Sequence, residues 1–350
     1  MTEPILPPSP FLPGTKIQFA WDSTSINAIK LCPRLYQLTI LEGWVPKDES
    51  VHLRFGIEYH AAIQDYENAR ANGLPRDDAI RETVGNLLKR SRDFDPDPTT
   101  KAGRYKNPET LRQLVVDYLD HFRDDPCKTV IREDGRPMVE QSFRFELEWG
   151  PRAGTIECHV CGGTGFVGPH NYDGVCSNCG GQKLEGPPQP YLLCGHLDRV
   201  VTFNDDTYVL DHKTTVTEPT QYYFSGFSPN NQMTLYSLAG QVVLGSPIRG
   251  VIVEAAQVLL EVPNRFVRGF AYRSDQIIHE WLGDLEYHLT CAEDYARANY
   301  WPMNDMACGM YGGCKFREVC SKNPEVRKHY LNADFVQLPE EDRWNPLKSR

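Results

Sequence analysis

Two strand-like segments, CGHLDRVVTF over 194–203 and TYVLDHKTTV over 207–216, constrain this chain more than any other feature. The link FNDDT between them is so short that they pair as a hairpin. Alternate residues of a strand share a face, so Asp211 and Lys213 point together while His212 points away. The hairpin also brings Asp198 beside Asp211. Two carboxylates and a lysine so arranged are the minimal kit for metal-assisted phosphodiester hydrolysis. The carboxylates hold a divalent ion, and the ammonium orients or helps activate water and offsets developing phosphate charge. Asp-x-Lys alone is also an ordinary pattern for a solvated strand face, so the rest of the chain must support the reading.

A chain of 350 residues, 40% apolar and 24% charged, has ample material for a core. No apolar run approaches the roughly 18 residues of a membrane span. The opening MTEPILPPSPFLPG has neither a basic region nor an unbroken apolar stretch, so it reads as a Pro-rich arm over 1–21 rather than a secretory signal. We therefore expect a cytoplasmic protein with no membrane partner. A net charge of −10 argues against a broadly basic nucleic-acid coat, while leaving room for a local basic groove or a bound metal. Residues 334–350 read as a polar C-terminal tail.

Helical spacing and cap residues predict helices over 22–42, 53–72, 76–91, 108–123, 230–244 and 275–299. Alternation predicts strands over 139–148, 191–203, 207–216, 249–259 and 265–273. The link RDFDPDPTTKAGRYKNP reads as a mobile loop whose Arg104 and Lys106 are either solvated charges or substrate contacts. Strands flanked by helices at both ends indicate an α/β architecture around a small mixed sheet.

Two more pairs lie four residues apart on helix faces: Gly56 with His60, and Gln232 with Tyr236. Gly56 would admit a neighbouring backbone and leave His60 facing a ligand, and neutral imidazole is a common metal ligand. Gln232 and Tyr236 could hold a phosphate or base, or pack against the sheet. In order along the chain, Gly56-x3-His60, GHLDRV with Asp198, LDHKTT with Asp211 and Lys213, and Gln232-x3-Tyr236 resemble the RecB-like branch of the PD-(D/E)XK nuclease superfamily. The resemblance spans about 23–325, apart from an insert described below. It implies a restriction-endonuclease-like core and a Mg²⁺- or Mn²⁺-dependent DNase, the His ligand leaning toward Mn²⁺. His60, Asp198, Asp211 and the His212 carbonyl would bind the metal, Lys213 would act on the water, and Gln232 and Tyr236 would position the strand.

Eleven cysteines without a secretion signal point to metal binding rather than disulfides. Cys158-x2-Cys161 and Cys176-x2-Cys179 form two knuckles whose four thiolates complete a tetrahedral zinc site, and the glycines after each knuckle permit the turn. His159 and His170 are possible substitutes. This four-cysteine zinc module, 149–190, lies between two expected strands of the core, as an insertion that serves as substrate contact, partner-docking knob or stability staple. Cys32, in LCPRLYQL, and Cys308, Cys314 and Cys320 form the second set. They resemble the ligands of a 4Fe–4S cluster in iron–sulfur members of the same branch, with a longer first gap, Cys-x5-Cys-x5-Cys, than the usual Cys-x2-Cys-x5-Cys. Zinc in the same thiolates, or none, are the alternatives. A cluster there would close the domain over 22–333 like a clamp.

No phosphate-binding Gly-x4-Gly-Lys-Ser/Thr loop occurs, so the chain carries no ATPase motor of that type. The resemblance then implies a stand-alone exonuclease or end-processing enzyme. Its substrate would be DNA that is single-stranded or has free ends, in phage recombination, repair or CRISPR-type processing, with protein partners and oligomers possible. The competing expectation is a metal-stapled DNA-binding or assembly subunit with a vestigial nuclease site. Action on RNA ranks behind both, because no RNA-binding module is recognisable.

Overall fold

A computed structural model describes residues 9–152, 156–167, 174–181, 184–185 and 189–348. They divide into two compact units, one built from Met1–Lys47, Arg144–Gly195 and Glu280–Arg350, the other from Asp48–Phe143 and His196–His279. The stretch 22–333, read from sequence as one domain, contributes to both.

The expected hairpin forms from Leu192–Phe203, which enters the second unit at His196, and Asp206–Thr215. Phe203 pairs with Asp206 across Asn204 and Asp205, whose φ values are 50° and 65°. Two consecutive left-handed residues make the turn that matches strand twist, and Asn and Asp tolerate that conformation better than most. Asp206–Thr215 then runs parallel to Gly250–Gln257, which pairs antiparallel with Arg265–Ala271. Lys128–Thr129 and Val139–Glu146 add to the other side of Leu192–Phe203.

Helices cover this mixed sheet. Val51–Ala71, started by a Ser50 cap, packs on Asp206–Thr215, with Tyr59 against His212. It puts Phe55, Tyr59, Ala62 and Ile63 into an apolar core with Ala256 and Val258. The same apolar core takes Leu87 from Arg76–Arg90 and Leu111, Leu114, Val115 and Tyr118 from Pro108–His121. The last of these helices starts on an Asn107 capping box with Pro108 in its first turn, as capping chemistry requires. Asn231–Leu244 also packs on the two central strands. At its Gly240, a Cβ would lie 2.9 Å from Val209 and 2.8 Å from Ile248, so any larger residue would make those side chains shift. The arrangement is consistent with the restriction-endonuclease-like core that the resemblance implied.

The first unit corrects two expectations. The helix expected over 22–42 breaks at Cys32 (φ −163°, ψ 114°) between Ser23–Leu31 and Pro33–Tyr36, because a residue before proline is pushed out of helical geometry. Over 334–348, the described part of the 334–350 stretch, the chain is no solvated tail. Phe335–Gln337 pairs antiparallel with Trp44–Pro46, Leu347 is buried, and Trp344 Nε1 donates to Asp22 Oδ1 at 3.2 Å. The Pro-rich arm is likewise packed where described: Leu12, Ile17, Phe19 and Trp21 are buried, and Ala20–Trp21 pairs parallel with Leu192–Leu193. Residues 1–8 of the arm lie outside the described residues. A small core of Leu38, Trp44, Phe316, Val319, Leu331 and Phe335 holds the C-terminal segment. Helix Asp275–Ala298 runs from the second unit's residues into the first's.

Candidate active site

Within the second unit, the hairpin and helix Val51–Ala71 bring Asp198, Asp211, Lys213 and His60 together. Asp198 Oδ2 accepts the His212 amide N–H at 2.9 Å and lies 3.2 Å from His60 Nδ1. Lys213 Nζ donates to Asp211 Oδ1 at 2.8 Å and sits 2.6 Å from Oδ2. Both carboxylates are buried, Asp211 to 1% exposure. Burial works to raise the Asp198 carboxyl, but His60, Lys213 and His212 together hold it well below the usual carboxylate range. Asp211 goes the other way: burial raises it, the Asp198 charge adds, and Lys213 only partly opposes. Burial disfavours a charged His60, yet the Asp198 carboxylate outweighs it and the imidazole is raised. Two buried carboxylates in each other's field with an imidazole beside them are a donor set that a divalent cation fits, and the ammonium offsets their charge without ligating.

Sequence reasoning missed one member of this set. His60, Glu140 and Asp198 each offer a ligand atom, all within 4.8 Å of one another, and the group could hold a metal ion. Glu140 lies in strand Val139–Glu146 with φ 46°, a left-handed conformation unfavourable for a non-glycine residue. Nothing in VEQSFRFE distinguishes this glutamate from an ordinary strand-surface charge, and backbone strain is invisible in sequence.

The opposite face of the same strand is charged as well. Register sets His212 beside Glu254, and Glu254 beside Arg268. His212 Nδ1 lies 2.9 Å from Glu254 Oε1, and Arg268 Nε donates to Glu254 Oε2 at 2.6 Å. Arg268 also makes two bonds to Asp125, at 2.6 and 2.8 Å, while Arg199 lies 3.3 Å from Glu67. The rings of Tyr59, His60 and Tyr118 meet His212 edge-on. Burial would raise the Glu254 carboxyl, but His212, Arg268 and Arg199 hold it down to about 2. This row locks His212, and with it the backbone between Asp211 and Lys213.

Gln232 Nε2 donates to the Tyr236 hydroxyl at 2.9 Å, so the expected helix pair forms. Burial pushes the Tyr236 phenol up, and the Asp198 and Asp211 charges push it further, which puts it in the field of both carboxylates. Tyr223, on the short helix Gln221–Ser225, is raised to about 12 by burial and then by Asp211. Two expectations need correction. Among the described residues, no atom outside its own helix backbone lies within 4 Å of the position a Cβ would take on Gly56, so no neighbouring backbone packs against that glycine. Lys106, read as a loop charge, is buried because the short helix Lys101–Tyr105 folds the loop inward. Its Nζ lies 3.1 Å from Thr214 Oγ1 and 5.3 Å from the Phe55 ring centre, and burial lowers its pKa to about 8.

The cysteine sets belong to the first unit. Cys158, Cys161, Cys176 and Cys179 form one cluster that could hold a metal ion. The Sγ atoms of Cys158 and Cys176 are 3.8 Å apart, those of Cys161 and Cys179 3.7 Å. Each knuckle ends on two left-handed glycines, Gly162–Gly163 and Gly180–Gly181. The Asn178 amide donates to Cys158 Sγ, and this bond, opposed by desolvation and helped by backbone amides, brings the thiol down to about 6. His159 pairs with Glu185 at 2.6 Å instead of joining the thiols, and His170 lies outside the described residues. In the other set, the Asn304 amide donates to Cys32 Sγ at 3.3 Å and the Asn304 carbonyl accepts from Cys308 Sγ at 3.9 Å. The Cys314 amide donates to the Cys308 carbonyl at 3.0 Å. Burial raises the Cys320 thiol; Arg34 and Arg327 oppose this, and the charges of Cys314 and Cys32 reinforce it. The groups of described residues whose ligand atoms all lie within 4.8 Å of one another do not include these four cysteines, so they are not gathered as tightly as the knuckle thiols.

No curated protein matches the sequence significantly. A family model described as the PD-(D/E)XK nuclease superfamily matches residues 21–321, a span that takes in every site residue above. Members of that superfamily are metal-dependent phosphodiester hydrolases, which makes DNA the implied substrate. On this match the chain belongs to the PD-(D/E)XK nuclease superfamily.

Proposed function

We propose that this protein is a RecB-like, Mg²⁺- or Mn²⁺-dependent DNA exonuclease or end-processing nuclease. The observation that carries the reading is the pairing of Lys213 with Asp211 and of His60 with Asp198, both carboxylates being buried. His60, Asp198, Asp211 and the His212 carbonyl would hold the cation, with Glu140 as an added ligand. Carboxylate oxygens with one imidazole suit Mg²⁺ or Mn²⁺. When bound, the cation supplies Lewis-acid polarisation of the phosphoryl group and a more acidic water. Lys213 Nζ orients that water and offsets charge growing on the phosphoryl oxygens. Gln232 and Tyr236 hold the strand against the pocket, and the His212–Glu254–Arg268 row keeps the Asp211–Lys213 backbone fixed.

Two metal staples belong to the same reading. A tetrahedral zinc–thiolate site with Zn–S of about 2.3 Å has sulfur–sulfur edges of about 3.8 Å, which the 3.8 and 3.7 Å pairs of Cys158–Cys176 and Cys161–Cys179 fit. We assign zinc to that cluster, and a 4Fe–4S cluster to Cys32, Cys308, Cys314 and Cys320, whose four thiolates are the usual complement. Cleavage of end-labelled single- and double-stranded DNA by anaerobically purified protein tests the proposal. Activity with Mg²⁺ or Mn²⁺, none with EDTA, and a ladder starting from one end support it. Absence of cutting by protein that carries its metals and binds DNA favours the vestigial-site subunit.

A further inference from the structure

The segment that follows the Asp211–Lys213 strand, TEPTQYYFSGFSPN over 217–230, carries Tyr222, Tyr223, Phe224 and Phe227. Packing accounts for three of these rings. Phe224 fills the space beside Gly269, where a Cβ would come within 2.2 Å of its ring. Tyr223 meets Phe224 and Phe227 edge-on, at 5.2 and 5.5 Å between ring centres, and its hydroxyl lies in the field of Asp211. Arg273 then pins the segment, donating to the Phe227 carbonyl at 2.7 Å, to Ser228 Oγ at 3.3 Å and to Thr234 Oγ1 at 2.9 Å. Tyr222 is different. It is 89% exposed on this anchored segment, and among the described residues its ring packs on no other aromatic ring.

An isolated exposed tyrosine is ordinary on a protein surface. This one is on a segment whose Phe224 packs over Gly269. Strand register sets Gly269 level with Val253 and Val253 level with Asp211, so the segment lies on the sheet face that carries Asp211, on backbone held by an arginine clamp. The chain also carries ten more negative than positive formal charges, so a broad cationic surface does not supply affinity for a strand. Aromatic stacking does so without cations and without regard to sequence, since every base has a π-face. A base inside a duplex keeps both faces stacked on its neighbours and offers none to the side.

We infer that Tyr222 is a stacking platform for an unpaired nucleobase of the strand entering the pocket, which favours single-stranded or frayed ends over blunt duplex. The inference rests on the nuclease reading and deepens its substrate class.

The test uses the full-length, metal-loaded protein carrying Lys213→Ala, so that binding is read without cutting. The probes are a single-stranded oligonucleotide containing 2-aminopurine and the corresponding blunt duplex. Tyr222→Ala should raise the Kd for the single strand about tenfold, within the range that base–aromatic stacking gives on alanine substitution. It should also remove the fluorescence quench and leave the duplex Kd unchanged, while Tyr222→Trp restores both. Equal loss on the two probes, no loss on either, or an unchanged quench would overturn the assignment. Cleavage by the Lys213-intact chain is scored separately on the same probes. Cutting without a Tyr222-dependent quench removes the stacking role alone, whereas a Tyr222-dependent quench without cutting removes the nuclease reading and leaves the stacking role standing.

Discussion

Replacing Glu254 by Gln isolates the charge of the row behind the hairpin while keeping its shape. Glu254 is 1% exposed, and its partners move its carboxyl from 4.5 down to about 2. A shift of that size is about 2.5 units, and at 1.36 kcal/mol per unit the ionised form contributes about 3 kcal/mol to the fold. Because the folded pKa lies below the unfolded one, this stabilisation is complete above about pH 4.5 and is lost as pH falls toward 2. Glu254→Gln should therefore cost about 3 kcal/mol at pH 7, read as faster amide hydrogen exchange in Gly250–Gln257. The gap between variant and parent should narrow below pH 4.5. Arg268 keeps Asp125 as a partner in the variant, while His212 loses its carboxylate partner and shares in the cost. A cost under 1 kcal/mol, or one that does not change between pH 7 and pH 3.5, would refute the claim that the row holds Glu254 ionised.

Other consequences are simpler. Gly56→Ala meets no atom within 4 Å beyond its own helix backbone, so it should preserve or raise stability by up to about 1 kcal/mol; a fall in thermal stability would show a contact at that position that the structure lacks. Gly103→Ala should do the reverse, losing roughly 1–3 kcal/mol in urea titration because its Cβ would lie 2.0 Å from the Asp97 carbonyl oxygen. Cys158→Ser with Cys161→Ser should release about one zinc per chain by elemental analysis, and unchanged zinc content would remove the assignment. Cys320→Ser should bleach the visible absorption of anaerobically purified protein, and an unaltered spectrum would exclude an iron–sulfur role for that thiol.

Much of this architecture is legible because its signals are local. Period-2 alternation and a two-residue Asn-Asp turn define the hairpin, and capping residues mark Val51–Ala71 and Pro108–His121 to within two residues. Cys-x2-Cys followed by Gly-Gly states the knuckle geometry almost directly. What stays hidden depends on partners distant in sequence. Glu140 becomes a neighbour of His60 and Asp198 only through a left-handed kink in its strand. The Glu254–Arg268–Asp125 pairing requires the strand register, and Lys106 is buried only because its loop folds back onto Thr214. The C-terminal stretch looks polar because its buried apolar residues, Phe335 and Leu347, are spaced too widely to form a pattern. Cys32 draws attention to its thiol, while the proline after it, which breaks the helix, is the stronger local signal.

The central claim is that Asp198, Asp211 and Lys213 together cut DNA, and Lys213→Ala tests it most directly. The variant should bind end-labelled DNA as the parent does, retain its metals, and show no cleavage in Mg²⁺ or Mn²⁺. Cleavage by the variant at the parental rate would contradict the claim.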